Sequence, residues 1–390
     1  LFKILYVEEA PSVGGSSFSL LQLTSSLDCA RYEPCVLFRY DLPVRRAFAS
    51  LGVRTVAWES ITGAPSAPPP DAPPGTLPAY KLTAPYRFLW SAKAYLTRQR
   101  ADSITLARWL ERERFSLLHA NNSVSANLGA IVAASRARVP AISHQRGYFR
   151  LTPAHRWLSR AVERFVCVSD AVRRHYVGEG LAPDKVQTIY NGIDVRRLKP
   201  RPKVRRDYVL IGWFGRFERW KGATTFVEAA RLVRSKATNV RFLMVGTGPE
   251  EEAIRRTVEG DRSLAAGVEL TGFRSDAIEL LAGCDVLVNS SIEPEPLSRS
   301  ALEALACGVP VVASDSGGNP EIVGPKNTGL LFRTGDASSL AAALDRLVEN
   351  GAMRERLSAE ARQRAETLFN AEQYVGAVSA LYAAALEGRG

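Results

Sequence analysis

SIEPEPLSRSALEALACGVPVVASDSGGNPEIV, residues 291–323, is the stretch whose reading decides the fold. The run that leads into it, CDVLVNSS (284–291), is apolar and β-branched, as a strand buried on both faces of a parallel sheet must be. Ser300-x-x-Glu303 has capping-box spacing, so a short helix is expected to open near 298–300, and Gly308 followed by Pro310 ends it. PVVASDS (310–316) reads as the next strand. Strand, loop, helix, strand is the repeating unit of a parallel α/β sheet. Glu295 then sits in the loop before a helix N-terminus and Glu303 one turn inside it. The free N–H groups between them leave the carboxyl edge of the sheet, where α/β folds bind ligands. Carboxylates beside aligned amides suit a polyhydroxyl ligand, because each hydroxyl both donates and accepts. The plainer alternative is that Glu303 only closes its own cap and Glu295 is solvated.

The same alternation runs through the whole 390-residue chain. Strands are expected at 2–9, 34–40, 53–60, 116–122, 140–146, 165–170 and 186–192, and again at 208–215, 240–246, 268–273 and 329–335. The opening LFKILYVEE is expected to be a first strand rather than a leader. RRLKPRPKVRR (196–206) is basic, broken by proline and without apolar period, as an interdomain linker is. The fold class is therefore α/β, with two doubly wound, Rossmann-like domains and a ligand cleft expected between them. Residues 1–196 form the first domain, 197–207 the linker and 208–368 the second domain; a terminal helix occupies 369–390. Within the first domain, 62–78 is too rich in Pro and Ala to pack and reads as a mobile insertion. The basic, aromatic stretch 80–100 is expected to pack on its own domain, with a membrane-surface role as the alternative.

Hydrophobic content of 46% and charged content of 23% are ordinary for a globular chain, and no apolar run reaches the length of a membrane span. The five cysteines read as small buried hydrophobes of a reducing compartment, which points to the cytoplasm. Charge is uneven: residues 1–207 carry 31 Lys and Arg against 16 Asp and Glu, whereas the rest of the chain carries 20 against 24. The basic half implies an anionic partner, such as a phosphorylated acceptor or the inner face of a membrane. Nucleic acid ranks last, since no recognition module is visible.

GWFGRFERWKG (212–222) ends a strand and precedes the helical pattern TTFVEAARLVR. Gly215 lets the chain turn, and Arg216 and Lys221 flank a helix N-terminus, an arrangement able to hold a diphosphate. VGTGPEE (245–251) is a second such turn, built on Gly246 and Gly248, but its spacing is not that of a dinucleotide fingerprint. Gly14 and Gly15 open a helix after the first strand, with Ser16 and Ser17 available as caps. His144 ends the strand PAISH at the carboxyl edge, and His119 lies inside its strand. No Asp-x-Asp occurs, so no metal site is expected from sequence.

The first Gly-Gly loop, the Arg-x4-Lys loop, the glutamate pair and the second Gly-Gly loop, in that order along the chain, resemble the retaining, nucleotide-sugar-dependent glycosyltransferases of family 4, which have the GT-B fold. The resemblance spans nearly the whole chain and implies a role for each residue. Glu295 would contact the transferred sugar and Glu303 the ribose hydroxyls; the amides of Leu297, Ser298 and Arg299 would bind further sugar hydroxyls. Arg216 and Lys221 would hold the diphosphate, with Gly317 and Gly318 near it, His144 at the donor sugar and the Gly14-Gly15-Ser16 loop at phosphate or acceptor. The family writes Glu-Pro-Phe-Gly where this chain has Glu295-Pro296-Leu297-Ser298, and its usual Glu after the first Gly-Gly loop is replaced by serine. The implied activity is metal-independent transfer from a UDP- or GDP-linked sugar, which is a substrate and not a cofactor, to a glycan or lipid-linked hydroxyl. A nucleotide-sugar epimerase and a non-catalytic sugar-nucleotide-binding relative are the alternatives.

Overall fold

The computed structural model describes residues 1–63, 100–201, 206–324 and 328–387. The expected insertion from residue 64 onward and the basic aromatic stretch 80–99 lie outside the described residues. Thirteen strands form two sheets. The first contains β1 (Phe2–Glu8), β2 (Tyr32–Phe38), β3 (Arg54–Ala57), β4 (Leu117–Ala120), β5 (Ala141–Gln145), β6 (Val162–Cys167) and β7 (Val186–Thr188). The second contains β8 (Val209–Phe214), β9 (Val240–Val245), β10 (Val268–Leu270), β11 (Val286–Asn289), β12 (Val311–Ser314) and β13 (Gly329–Phe332). All pairings are parallel.

The strand orders are β3-β2-β1-β4-β5-β6-β7 and β10-β9-β8-β11-β12-β13. Each order reverses once, between β1 and β4 in the first sheet and between β8 and β11 in the second. At that reversal adjacent loops diverge and leave a crevice at the carboxyl edge. The central strands are buried along their whole length, as LLHA in β4, VLVN in β11 and VVAS in β12 show. That is why their sequences run apolar without a period of two. The expected strand 53–60 is cut short at Ala57. Glu59–Thr62 makes a helical turn instead, ended by Gly63 in the left-handed conformation.

The chain divides into two compact units, Leu1–Gly192 with Glu372–Gly390, and Ile193–Ala371. The helix Ala371–Glu387 belongs to the first unit's core: Tyr374, Val378 and Tyr382 pack with Ile4, Tyr6 and Val36. The second unit closes around Ile211, Trp213, Phe226, Phe242 and Leu344. Part of the basic stretch that sequence places in a linker is held on the second unit, where Arg362 donates to the carbonyls of Leu198 (2.6 Å) and Val195 (2.9 Å). Four of the five cysteines are buried and all five are free thiols. Among the described residues no helix is long and apolar enough to cross a membrane.

Candidate active site

In the second unit the carboxyl edge at the β8/β11 reversal is organised around one ion pair. After β8 the chain makes a tight turn, Arg219–Lys221, and Gly222 starts the helix Ala223–Arg234 with φ +67°. A Cβ at Gly222 would run into the Ser290 carbonyl, so only glycine allows the two loops this approach. Ser290 fastens them: its hydroxyl donates to Gly222 O (2.8 Å) and accepts from Trp213 Nε1 (2.9 Å). Ile292 N also donates to Trp220 O (2.8 Å). Lys221 Nζ is thereby placed 2.9 and 2.7 Å from the two carboxylate oxygens of Glu295, and 4.0 Å above the Trp220 ring.

Glu295 is 5% exposed and takes a further bond from Ser291 Oγ (2.7 Å). Its backbone is clamped as well. Gly318 N donates to Glu295 O (2.7 Å), and Gly317, at φ +62°, packs so closely that a side chain there would strike the Glu295 main chain. The alternative of a solvated Glu295 is overturned: this is a buried carboxylate held by a lysine, a hydroxyl and a glycine loop. Gly246 and Gly248 abut Gly215 and Phe217, and Phe217 N donates to Thr247 O (2.9 Å), so these glycines join the loops after β8 and β9. Arg216 pairs with Glu218 at 2.7 Å and stays about half exposed.

The helix after Glu295 runs Arg299–Ala306, and its cap is Ser298, whose hydroxyl accepts from Ala301 N (3.3 Å), not the expected Ser300. Glu303 therefore closes no capping box. It lies one turn in and accepts from Arg299 Nε at 2.9 Å. Burial raises the Glu303 carboxyl above its usual range, while Arg299 pulls the other way. Leu297 and Ser298 are buried, so their side chains belong to the packing. Glu321 lies in the first turn of the helix Asn319–Val323.

The equivalent edge of the first unit is built differently. Gly14, extended, precedes the helix Gly15–Ser26, but no side chain caps it: Ser16 is half-buried, and Ser17 turns into the interior. Glu8, at the end of β1, is fully buried and accepts from Asn121 Nδ2 (2.7 Å), Asn122 Nδ2 (2.7 Å) and Ala10 N (3.0 Å). Next to it, burial pushes the Glu9 carboxyl up to about 7 against the pull of Arg39. His144 is also fully buried. Its Nδ1 lies 3.3 Å from both His119 Nε2 and Arg146 Nη2, and its Nε2 has no hydrogen-bond partner among the described residues. Burial, reinforced by the Arg146 charge, holds His119 down to about 3 and His144 well below its ordinary value.

Glu8 and Arg146 were missed from sequence. Glu8 ends an apolar strand at the sheet reversal, a position that itself is a signal. Arg146 joins residues far apart in the chain, donating to Asn121 O (2.8 Å), Asn191 Oδ1 (2.7 Å) and the Tyr374 hydroxyl (3.3 Å). No local pattern carries that. Among the described residues no cluster of three or more His, Cys, Asp or Glu could hold a metal ion.

Known proteins resemble this chain in sequence and in fold. Residues 44–197 match the family described as Glycosyltransferase Family 4, and 194–364 match glycosyl transferases group 1. The phosphatidyl-myo-inositol mannosyltransferase of Mycobacterium leprae is 30% identical over 312 residues, covering 74% of this chain and 79% of that protein. This chain belongs to glycosyltransferase family 4. An Escherichia coli relative of this family 4 enzyme, a UDP-Gal:alpha-D-GlcNAc-diphosphoundecaprenol alpha-1,3-galactosyltransferase, is 26% identical over 312 residues, 74% of this chain and 80% of its own. Anabaena HepE, solved with UDP and glucose, superposes with a TM-score of 0.78 at 21% identity, covering 98% of this glycosyltransferase and 100% of HepE. The sucrose-phosphate synthase of Thermosynechococcus elongatus does so with 0.77 at 19% identity, covering both chains fully. These likenesses give the family 4 chain its fold, the two parallel α/β domains of the GT-B type.

Proposed function

We propose that this glycosyltransferase is retaining and metal-independent, and that it moves a sugar from a UDP- or GDP-linked donor to a hydroxyl of a glycan or lipid-linked acceptor. The observation that carries the reading is the Lys221–Glu295 pair at the β8/β11 edge, its carboxylate buried, beside the N-terminus of the helix Ala223–Arg234. Without substrate, both cations are held by carboxylates, Lys221 by Glu295 and Arg216 by Glu218. An arriving diphosphate would replace those carboxylates as the partner of Lys221 and Arg216, and free Glu295 to accept from the hydroxyls of the sugar. Two cations and a helix dipole then carry the charge that grows on the leaving group, the work a divalent ion does elsewhere. The absence of Asp-x-Asp from the sequence agrees with that division of labour.

In the step itself, the acceptor oxygen bonds to the anomeric carbon on the face from which the diphosphate departs. The carbon–oxygen bond to the diphosphate breaks, its electron pair leaves with that oxygen, and the hydroxyl proton passes to the departing diphosphate. No strong protein base is needed. Glu303 would hold the ribose hydroxyls, Gly317 and Gly318 would stand near the phosphates, the amides of Leu297 to Arg299 would serve the sugar, and His144 would contact it. The Gly14-Gly15-Ser16 loop would serve phosphate or acceptor. The basic first half favours a phosphorylated acceptor met from the cytoplasm at the inner membrane face. The relatives named for phosphatidyl-inositol and diphosphoundecaprenol substrates support this acceptor class. HepE, solved with UDP, favours uridine.

The test is transfer from a panel of α-linked UDP- and GDP-sugars, with product configuration read by proton NMR, in the presence and absence of EDTA. An α product at equal rate in EDTA is expected. A β product, or activity abolished by the chelator, overturns the reading.

A further inference from the structure

His144 Nδ1 faces a neighbour whose hydrogen-bonding role is fixed. Arg146 is donor-only, since a guanidinium has no acceptor atom and keeps its charge in proteins. Its Nη2 faces His144 Nδ1 at 3.3 Å, so that nitrogen must accept. His119 Nε2 lies 3.3 Å from the same Nδ1. On its other side His119 Nδ1 is 2.5 Å from the hydroxyl of Tyr382 in the terminal helix, whose proton goes to the Tyr6 hydroxyl at 3.0 Å. The opposite orientation would place a His144 N–H against an arginine N–H. Every group in this set except Arg146 is fully buried, so no water takes up such a mismatch.

We propose that Arg146 is a positioning residue that locks His144 as the neutral Nε2–H tautomer, so that His144 offers a hydrogen-bond donor and never an acceptor. The atom so fixed, Nε2, is the one buried and without a partner among the described residues. A buried donor left unmet is unfavourable, so the position is kept for an acceptor the described protein does not supply. Resting on the reading that His144 faces the donor sugar, that acceptor is a sugar oxygen. The groups facing the imidazole from neighbouring elements, His119, Arg146 and Tyr374, supply no carboxylate that would favour the charged ring.

The experiment is long-range proton–nitrogen NMR of the full-length protein labelled on histidine nitrogens, with the His144 signals assigned by loss in His144→Ala. The proposal expects a protonated Nε2 and a bare Nδ1 in the wild type. In Arg146→Met and, separately, in Arg146→Leu the two tautomers should mix, and kcat should fall about tenfold, the worth of one hydrogen bond, with KM for the donor little changed. A wild-type His144 protonated on Nδ1, or a tautomer unmoved in whichever variant folds, overturns the proposal. If instead the tautomer is as stated but His144→Ala transfers sugar at the normal rate, the locking stands and only the placement of His144 at the donor falls.

Discussion

Two sheets with the same order of strands around the reversal present two unlike edges. At the β8/β11 edge of the second unit the central feature is an ion pair, Lys221–Glu295, with the lysine partly exposed and the carboxylate buried. At the β1/β4 edge of the first unit, one carboxylate, Glu8, is met by amides, and one guanidinium, Arg146, spreads over neutral acceptors around two histidines held uncharged. Topology supplies the crevice in both. The side chains then differ: a charged pair at one edge, and directional hydrogen bonds at the other. The second kind of edge suits hydroxyl groups, which are told apart by where they donate and accept.

The largest expected effect lies on the charged edge. Lys221→Ala should lower transfer by roughly 10²–10³-fold, as removal of a charge stabiliser does. It should also destabilise the protein by about 3–5 kcal/mol, because Glu295 is left buried without its cation. Arg216→Ala should match the first loss and not the second, since its pair with Glu218 is half exposed. Single-turnover kinetics beside urea unfolding separate the two. Equal stability of the two variants would show that the Lys221–Glu295 contact is not a buried pair in solution, and near-normal turnover in both would remove the diphosphate role.

The neutral edge should show itself in acid. Because burial depresses His119 from 6.5 to about 3, the folded state binds fewer protons than the unfolded chain below 6.5. Stability is therefore complete above that pH and is lost progressively as pH falls toward 3. At about pH 5 the loss from His119 should be ~2 kcal/mol. Thermal unfolding at about pH 7.5 and about pH 5 measures it, and His119→Phe should flatten the dependence. Glu9, raised by burial to about 7, acts in the opposite sense over the same window, so the reading is the difference between the two proteins: a pH dependence identical in wild type and His119→Phe would mean that His119 is charged in the native state.

Smallest is the change at Glu303. Glu303→Gln keeps the shape and removes the charge, and should weaken nucleotide binding on the order of tenfold with little change in the rate of the bound complex. Calorimetric titration with UDP and GDP reads it; unchanged affinity for both would take the ribose away from Glu303.

The strand pattern was legible because central strands of a parallel sheet are wholly buried and advertise themselves as apolar runs; all thirteen expected strands occur. Their ends were less so. Residues 58–60 look extended in sequence but coil into a turn, which depends on Gly63 and not on local apolarity. Glu295 and Lys221 were legible as candidates because loop carboxylates and cations beside helix starts are few. That the two touch was not, since 74 residues separate them. The cap was misread for a simple reason: Ser298 and Ser300 both lie at the helix start, and the Glu303 spacing favoured the wrong one. Arg146 and Tyr382 were invisible, because their meaning comes from partners across the chain and not from neighbours.

The terminal helix carries a consequence for biosynthesis. Tyr374, Val378 and Tyr382 complete a core whose other members were made first, beginning at Ile4. A nascent chain can close the unit from Ile193 to Ala371 as soon as those residues clear the ribosome, yet the unit it started with stays open at the helix's seat until residue 387 has been added. The domain translated first is thus finished last, and its half-built apolar face is what a chaperone would have to shield in the interval.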